Sequence, residues 1–333
     1  MSSIAILGAG SWGTALALLL AEKGLKVKLW VHGRETYQSL IEHRENIYYL
    51  PGIKLSPNVF PTQSFAQALE RQPDVLIVVP SHIYRMVLKQ AMPYLKPNCH
   101  IISATKGIEN QTLLTMSEVT KQVLRGFSYT YTVLSGPSFA KEVTQHLPTA
   151  VTIASSYQEA ALHAQKLFST PYFRTYTHHD VLGVELGGAL KNVMAIAAGV
   201  CDGLGLGHNA RAALITRGLM EMIRLGVSLG AESKTFAGLS GLGDLVLTCT
   251  SCLSRNYTVG KRLGKGESIR EILFSMRMVA EGIKTTHSAY FLSQREKIEM
   301  PITSEVYAIL YQEKSPLQGL KDLLSRALKR EFW

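Results

Sequence analysis

The sequence predicts an α/β fold, a doubly wound sheet of the Rossmann type followed by an all-helical C-terminal domain. Three observations carry that prediction. A loop, Gly8-Ala9-Gly10-Ser11-Trp12-Gly13, joins an apolar strand to an amphipathic helix close to the first residue. Short β-branched runs then alternate with helical patterns as far as residue 180. Beyond Asp180 these runs vanish, and long stretches rich in Ala, Gly, Leu and Met follow.

Taken in order, Ile4–Leu7, Val27–Val31, Val75–Val79, Ile101–Ala104, Thr132–Ser135, Ala150–Ala154 and Phe173–Tyr176 read as strands. Several are apolar throughout, as expected where both faces of a parallel sheet are covered. Strand–helix–strand repetition implies parallel pairing with right-handed crossovers. In the second part, Gly203–Gly207 and Gly264–Gly266 mark turns between helices. A chain of 333 residues exceeds what one core usually supports, so two domains are expected, over 1–179 and 180–333.

Composition narrows the function classes. With 46% hydrophobic and 18% charged residues, the chain can bury a sizeable core. Its formal charge of +10 is spread singly or in pairs, with no block of five like charges. Such dispersal disfavours nucleic acid and suits small phosphorylated ligands. Cys99, Cys201, Cys249 and Cys252 are too sparse for a disulfide framework. Cys249 and Cys252 have CxxC spacing but no second pair, so no metal site is expected and both read as small, partly buried thiols. Only Met1, Ser2 and Ser3 precede the first strand, and the longest apolar runs, Ala15–Ala21 and Val193–Cys201, fall short of the ~20 residues of a membrane span. A cytoplasmic protein without membrane insertion is expected.

The opening loop sits where a dinucleotide-binding turn must sit, between a strand and a helix that leads to a second strand. Gly8 permits the tight turn, Gly10 lets the main chain approach a pyrophosphate, and Gly13 lets the helix pack closely on the sheet. The helix N-terminus then offers free N–H groups and partial positive charge to phosphate. At the end of the second strand an NAD-restricted site would carry Asp or Glu. Here the chain reads Val31-His32-Gly33-Arg34, and the two cationic candidates suit a 2′-phosphate. NADPH is therefore the expected cofactor, with NADH tolerated; two exposed loop residues would read the same way.

Chemistry is expected from the second part. On a helix, Gly187, Gly188, Lys191, Ala195 and Ala198 share one face. Two adjacent helical glycines cost roughly 1 kcal/mol each against Ala, which points to a close approach. Lys191 on that face would be partly desolvated, and desolvation lowers an ammonium pKa toward the range useful for proton transfer. Periodicity alone is equally compatible with a lysine reaching to solvent. Lys106 in Ser103–Gly107, and Gly136 and Ser138 in Ser135–Ala140, fall after predicted strands, where open sheets bind ligands. Pro137 and Ser138 have the character of a helix start. Asp244 lies in a Gly-rich stretch, and Ser254-Arg255-Asn256 reads as a capped helix start where Arg255 could clamp phosphate.

Together these segments closely resemble the bacterial-type NAD(P)-dependent glycerol-3-phosphate dehydrogenases. The run GALKNVMAIAAGVCDGLGLGHNA, from Gly188 to Ala210, resembles the family signature almost residue for residue. GAGSWGTALA, SATKGIE, LSGPSFAKEV, LSGLGDLVLTCTSCLSRNYTVG and VAEGIKT resemble its other motifs in the same order. The resemblance implies reversible reduction of dihydroxyacetone phosphate to sn-glycerol 3-phosphate, the backbone precursor of glycerophospholipids. It makes Lys191 the proton donor and acceptor, and Lys106 a contact to cofactor and substrate. Gly136, Ser138, Asp244, Ser254, Arg255 and Asn256 complete the implied substrate site. Ser11, Trp12, His32, Ala140, Arg255, Val279 and Glu281 map onto cofactor positions. Gly33 before Arg34 departs from the family, in which an arginine directly neighbours the His32 position, and leaves the 2′-phosphate contact open. A homodimer formed through the helical part is a further implication. Two other readings share the architecture: a ketone reductase of the hydroxyacid or ketopantoate type, and a non-catalytic NADPH-binding sensor.

Overall fold

The structure is a computed structural model that describes residues 3–276, 279–328 and 330–331. Its strands are β1 (Ser3–Leu7), β2 (Lys26–Trp30), β3 (Glu45–Asn46), β4 (Leu50–Lys54), β5 (Val59–Thr62), β6 (Asp74–Ile77), β7 (Cys99–Ser103), β8 (Tyr129–Ser135), β9 (Thr149–Ala154) and β10 (Phe173–His178). Eight of them form one sheet in the order β10-β9-β8-β7-β6-β1-β2-β5, while β3 and β4 pair separately. All seven expected strands are present. The sequence reading misses the short pair β3 and β4, and it misses β5, which carries Pro61 and lies at the sheet edge, where a residue without an N–H is tolerated.

The small β3–β4 pair is antiparallel, and within the eight-stranded sheet one pairing departs from the expected parallel pattern. β8 and β9 run antiparallel, with Val133 opposite Ala154 and Ser135 opposite Thr152. The helix in their connection, α6 (Ala140–Thr144), has only five residues, too little for the usual crossover back across the sheet. It also begins later than Pro137 and Ser138 suggest. Those two residues belong to the preceding turn, and Phe139 takes the N-cap position.

Strand alternation distributes apolar side chains to both faces. Ile4 and Ile6 face a core with α1 (Ser11–Glu22), α2 (Arg34–Glu42) and α7 (Gln158–Phe168). Ala5 and Leu7 face another with α3 (Phe65–Leu69), α4 (Ser81–Ala91) and α5 (Met116–Val123). A doubly wound sheet results.

After β10 the described residues form no further strand. The helices are α8 (Val181–Gly203), α9 (Gly207–Ser228), α10 (Asp244–Thr250), α11 (Arg255–Gly264), α12 (Ile269–Ser275), α13 (Glu281–Arg295), α14 (Pro301–Tyr311) and α15 (Pro316–Leu324). α8 is buried continuously from Gly183 to Cys201 and forms the axis of this half. Its glycines let α11 come close: a Cβ on Gly199 would fall 2.1 Å from the Tyr257 carbonyl oxygen, and one on Gly260 would fall 1.9 Å from that of Ile196. Contrary to the expectation from unbroken apolar runs, α8 is long and apolar enough to cross a membrane. Of its most apolar window, however, 89% is buried inside the protein, as in the central helix of a bundle.

All four cysteines are free. The CxxC pair corrects the expectation of two partly buried thiols: Cys249 is buried in α10, while Cys252 is exposed in the turn that follows.

Candidate active site

The carboxyl ends of β1, β2, β6 and β7 open onto a cleft of about 550 Å³ whose opposite wall is built from α8, α10, α11 and the start of α13. Gly8 makes the first turn with a φ of +121°, and a Cβ there would lie 2.5 Å from the Val78 carbonyl oxygen. A Cβ on Gly13 would lie 1.9 Å from the Gly8 carbonyl oxygen, so only glycine lets α1 sit this close to the loop. Around Gly10, in contrast, nothing lies within 4 Å of an added Cβ. The first turn of α1 has no side-chain cap and no acidic residue, which leaves its N–H groups available to an anion. Trp12, which lines the cleft, has a buried indole N–H without a partner among the described residues. Open main chain, uncapped donors and an unpartnered N–H fit a dinucleotide pyrophosphate.

Facing the loop, two lysines converge on one carboxylate. Lys191 Nζ donates to Asp244 Oδ1 at 2.9 Å, and Lys106 Nζ donates to Asp244 Oδ2 at 2.7 Å. Lys106 also donates to the Gly136 carbonyl oxygen at 2.9 Å. Lys191 has a second partner in Thr248 Oγ1 at 2.7 Å, and that hydroxyl donates to the Asp244 carbonyl oxygen at 2.6 Å. Asp244 lies behind the amines, its side chain 2% exposed, while those of Lys191 and Lys106 are 9% and 18% exposed.

The two adjacent glycines of α8 make this convergence possible. A Cβ on Gly188 would meet Ser135 Oγ at 2.4 Å and Lys106 Cγ at 3.5 Å, and one on Gly187 would meet the Ser240 carbonyl oxygen at 2.7 Å. A π-helical turn, Leu239–Gly243, then leads into α10 and delivers Asp244 at its first residue.

Burial pulls the Lys191 ammonium down to about 8, helped by the charge of Lys106 and opposed by Asp244. Burial pushes the Asp244 carboxyl the other way, but the two ammonium groups outweigh it and hold the pKa below the usual carboxylate value. The site therefore keeps a carboxylate beside an amine poised near neutrality.

On the rim, Ser254 caps α11, accepting from the Tyr257 N–H at 3.2 Å, and Arg255 Nη1 donates to the Val279 carbonyl oxygen at 2.8 Å. Asn256 Nδ2 donates to Asn192 Oδ1 at 2.8 Å and fixes the start of α11 against α8. Glu281 Oε2 accepts from Ser81 Oγ at 2.7 Å, a bond between the two halves. Among the described residues lining the cleft, Glu281 is the one carboxylate, against Lys106, Lys141, Lys191 and Arg255. A cleft of this sign attracts phosphates.

The comparisons agree with this arrangement. A family model for the N-terminus of NAD-dependent glycerol-3-phosphate dehydrogenase matches residues 3–161, and one for its C-terminus matches 180–321. The chain belongs to this family. The glycerol-3-phosphate dehydrogenase [NAD(P)+] of Geobacter sulfurreducens is 53% identical over 331 residues, covering 99% of each chain. That of Desulfotalea psychrophila is 54% identical over 333 residues, covering 99% of this chain and 98% of the relative. A crystal structure of glycerol-3-phosphate dehydrogenase from Coxiella burnetii superposes with a TM-score of 0.95 at 42% identity, covering 98% of this chain and 99% of that one.

Within this dehydrogenase framework, Gly8, Gly10, Ser11, Trp12, Gly13, His32, Lys106, Ser138, Ala140, Lys191, Ser254, Arg255, Asn256, Val279 and Glu281 all line the cleft. Gly136 and Asp244 stand just behind it, bonded to the lysines. Arg34 is not brought in: it begins α2 as an exposed residue, and only His32 of that pair reaches the lining. The sequence reading misses Thr248, Asn192 and Ser81. Thr248 follows Asp244 by four residues on α10, a spacing that places both on one helix face and could have exposed it. Ser81 has no comparable signal, since its partner is 200 residues away.

Proposed function

We propose that this chain reduces dihydroxyacetone phosphate reversibly to sn-glycerol 3-phosphate, preferring NADPH and tolerating NADH. A bound nicotinamide supplies the hydride that reaches the carbonyl carbon. As negative charge develops on the carbonyl oxygen, Lys191 stabilises it and delivers a proton from Nζ. Lys106 adds a second positive charge beside the same oxygen. Asp244 keeps both amines aimed, and Thr248 fixes the Lys191 rotamer by accepting a hydrogen bond from its Nζ. Arg255, with Ser254, Asn256 and the N–H groups that open α11, holds the phosphate and places the ketone in attacking geometry. In oxidation, Lys191 as amine takes the alcohol proton. His32 would hold the adenosine 2′-phosphate, while Ser11, Trp12, Ala140, Val279 and Glu281 would complete the dinucleotide site. The product feeds glycerophospholipid synthesis, and a cytoplasmic homodimer joined through the helical half belongs to the same proposal.

The observation that carries this reading is the convergence of Lys106 and Lys191 on Asp244, opposite a glycine loop built for phosphate. Its test compares oxidation of NADPH with dihydroxyacetone phosphate and with ketones bearing a carboxylate. Turnover confined to the phosphate ketone, and reduced about 10³-fold in Lys191→Met with NADPH binding intact, is expected. Preference for a carboxylate ketone, or full turnover by the variant, would overturn it.

A further inference from the structure

At the amino-terminal edge of the same sheet, far along the strands from the cleft, two imidazoles point at one carboxylate. Asp74 opens β6, and His100 is its register partner on β7, so their side chains share a face. α7 covers that face and brings in His163. His100 Nδ1 lies 3.2 Å and His163 Nε2 lies 2.9 Å from the same oxygen, Asp74 Oδ1. The other ring nitrogen of His100 is fixed by Thr132 Oγ1 on β8 at 2.6 Å. Asp74 and His100 are buried, and the His163 side chain is 54% exposed.

We propose that Asp74, His100 and His163 bind one divalent transition-metal ion of the zinc class. All three donor atoms lie within 4.8 Å of one another. A tetrahedral zinc with bonds of about 2.1 Å needs donors about 3.4 Å apart; both imidazole–carboxylate spacings are slightly shorter than that and need only open a little, a readjustment that the half-exposed His163 can make by a small rotation. The donor set selects the metal: two imidazoles and one carboxylate suit zinc and its neighbours, whereas calcium and magnesium take oxygen ligands. Thr132 supplies the outer hydrogen bond that orients a ligating imidazole and leaves Nδ1 free for the ion. Cys99 precedes His100 on the strand, so its thiol faces the opposite side of the sheet and stays out of the set. The fourth position opens beside His163 toward solvent and takes water. The bound ion ties α7 to β6 and β7 at the edge remote from the lysines, which makes it a structural clip. It does not depend on the reaction proposed above.

The test uses the full-length protein after chelator treatment, titrated with Zn²⁺ against a chromophoric competitor and, separately, with Co²⁺. One zinc per chain is expected, together with a higher Tm and visible Co²⁺ bands that lack thiolate charge transfer. His163→Ala and Asp74→Asn lower zinc affinity at least about tenfold, and Thr132→Val about tenfold. Far-UV circular dichroism and an unchanged kcat in His163→Ala establish that the fold is kept. Failure to bind one zinc, equal affinity in wild type and His163→Ala, or a thiolate band in the Co²⁺ spectrum would each overturn the site.

Discussion

On the sheet side of the cleft the groups on offer are main-chain N–H donors around Gly10, made accessible by the lack of side chains at three glycines. Opposite them stand two ammonium groups, the buried Lys191 of α8 and the half-buried Lys106 of the loop after β7, both tied to the Asp244 carboxylate of α10. One wall binds through what is missing from the sequence, and the other acts through charges that only the tertiary fold assembles. The first kind of site should fail in affinity and the second in turnover.

The largest expected effect comes from the charged wall. Asp244→Ala leaves two largely buried ammonium groups uncompensated, a change that costs about 3–5 kcal/mol when a buried pair loses one partner. Urea denaturation should show this loss, and kcat should fall at the same time. Removing the carboxylate also removes what raises the Lys191 pKa, so the activity profile should move toward lower pH. Unchanged stability would mean that the lysines find water or each other at little cost.

A smaller effect of the opposite kind tests the glycine wall. In Gly13→Ala the new methyl would collide with the Gly8 carbonyl oxygen, forcing the loop and α1 apart at about 1–3 kcal/mol. Cofactor Kd, read by quenching of tryptophan fluorescence, should rise about tenfold or more, with kcat at saturation nearly kept. A loss in kcat alone would blur the distinction between the walls. Arg255→Ala should be milder. Arg255 lies on the rim, its guanidinium held by the Val279 carbonyl oxygen, so about a tenfold rise in KM for dihydroxyacetone phosphate is expected. An unchanged KM would remove Arg255 from the phosphate clamp.

The same contrast explains what could be read from sequence. The glycine loop was legible because its rule is local: six residues, a strand before and a helix after. Apolar runs marked the central strands, whose sides are both covered, but missed β5, where Pro61 and an edge position break the pattern. The reversed direction of β9 left no local trace, since antiparallel pairing is decided by a connection rather than by composition. In the helical half, Gly187 and Gly188 pointed correctly to a close approach without saying to what. Lys191 and Asp244 are 53 residues apart, and Lys106 and Asp244 138 apart, so neither bond has a sequence period. The Asp74–His100–His163 group was invisible for the same reason.

The central claim is that Lys191, pulled down to about 8 by burial, is the group whose proton moves. Its pKa lies below the ordinary lysine value, so Lys191 passes from ammonium to amine as pH rises through about 8. The direct measurement is kcat/KM against pH in both directions, for the wild type and for Lys191→Met. Reduction should fall and oxidation rise through that pH in the wild type, with both inflections absent from the residual activity of the variant. The same inflection in Lys191→Met, or a wild-type profile flat across this range, would contradict the account.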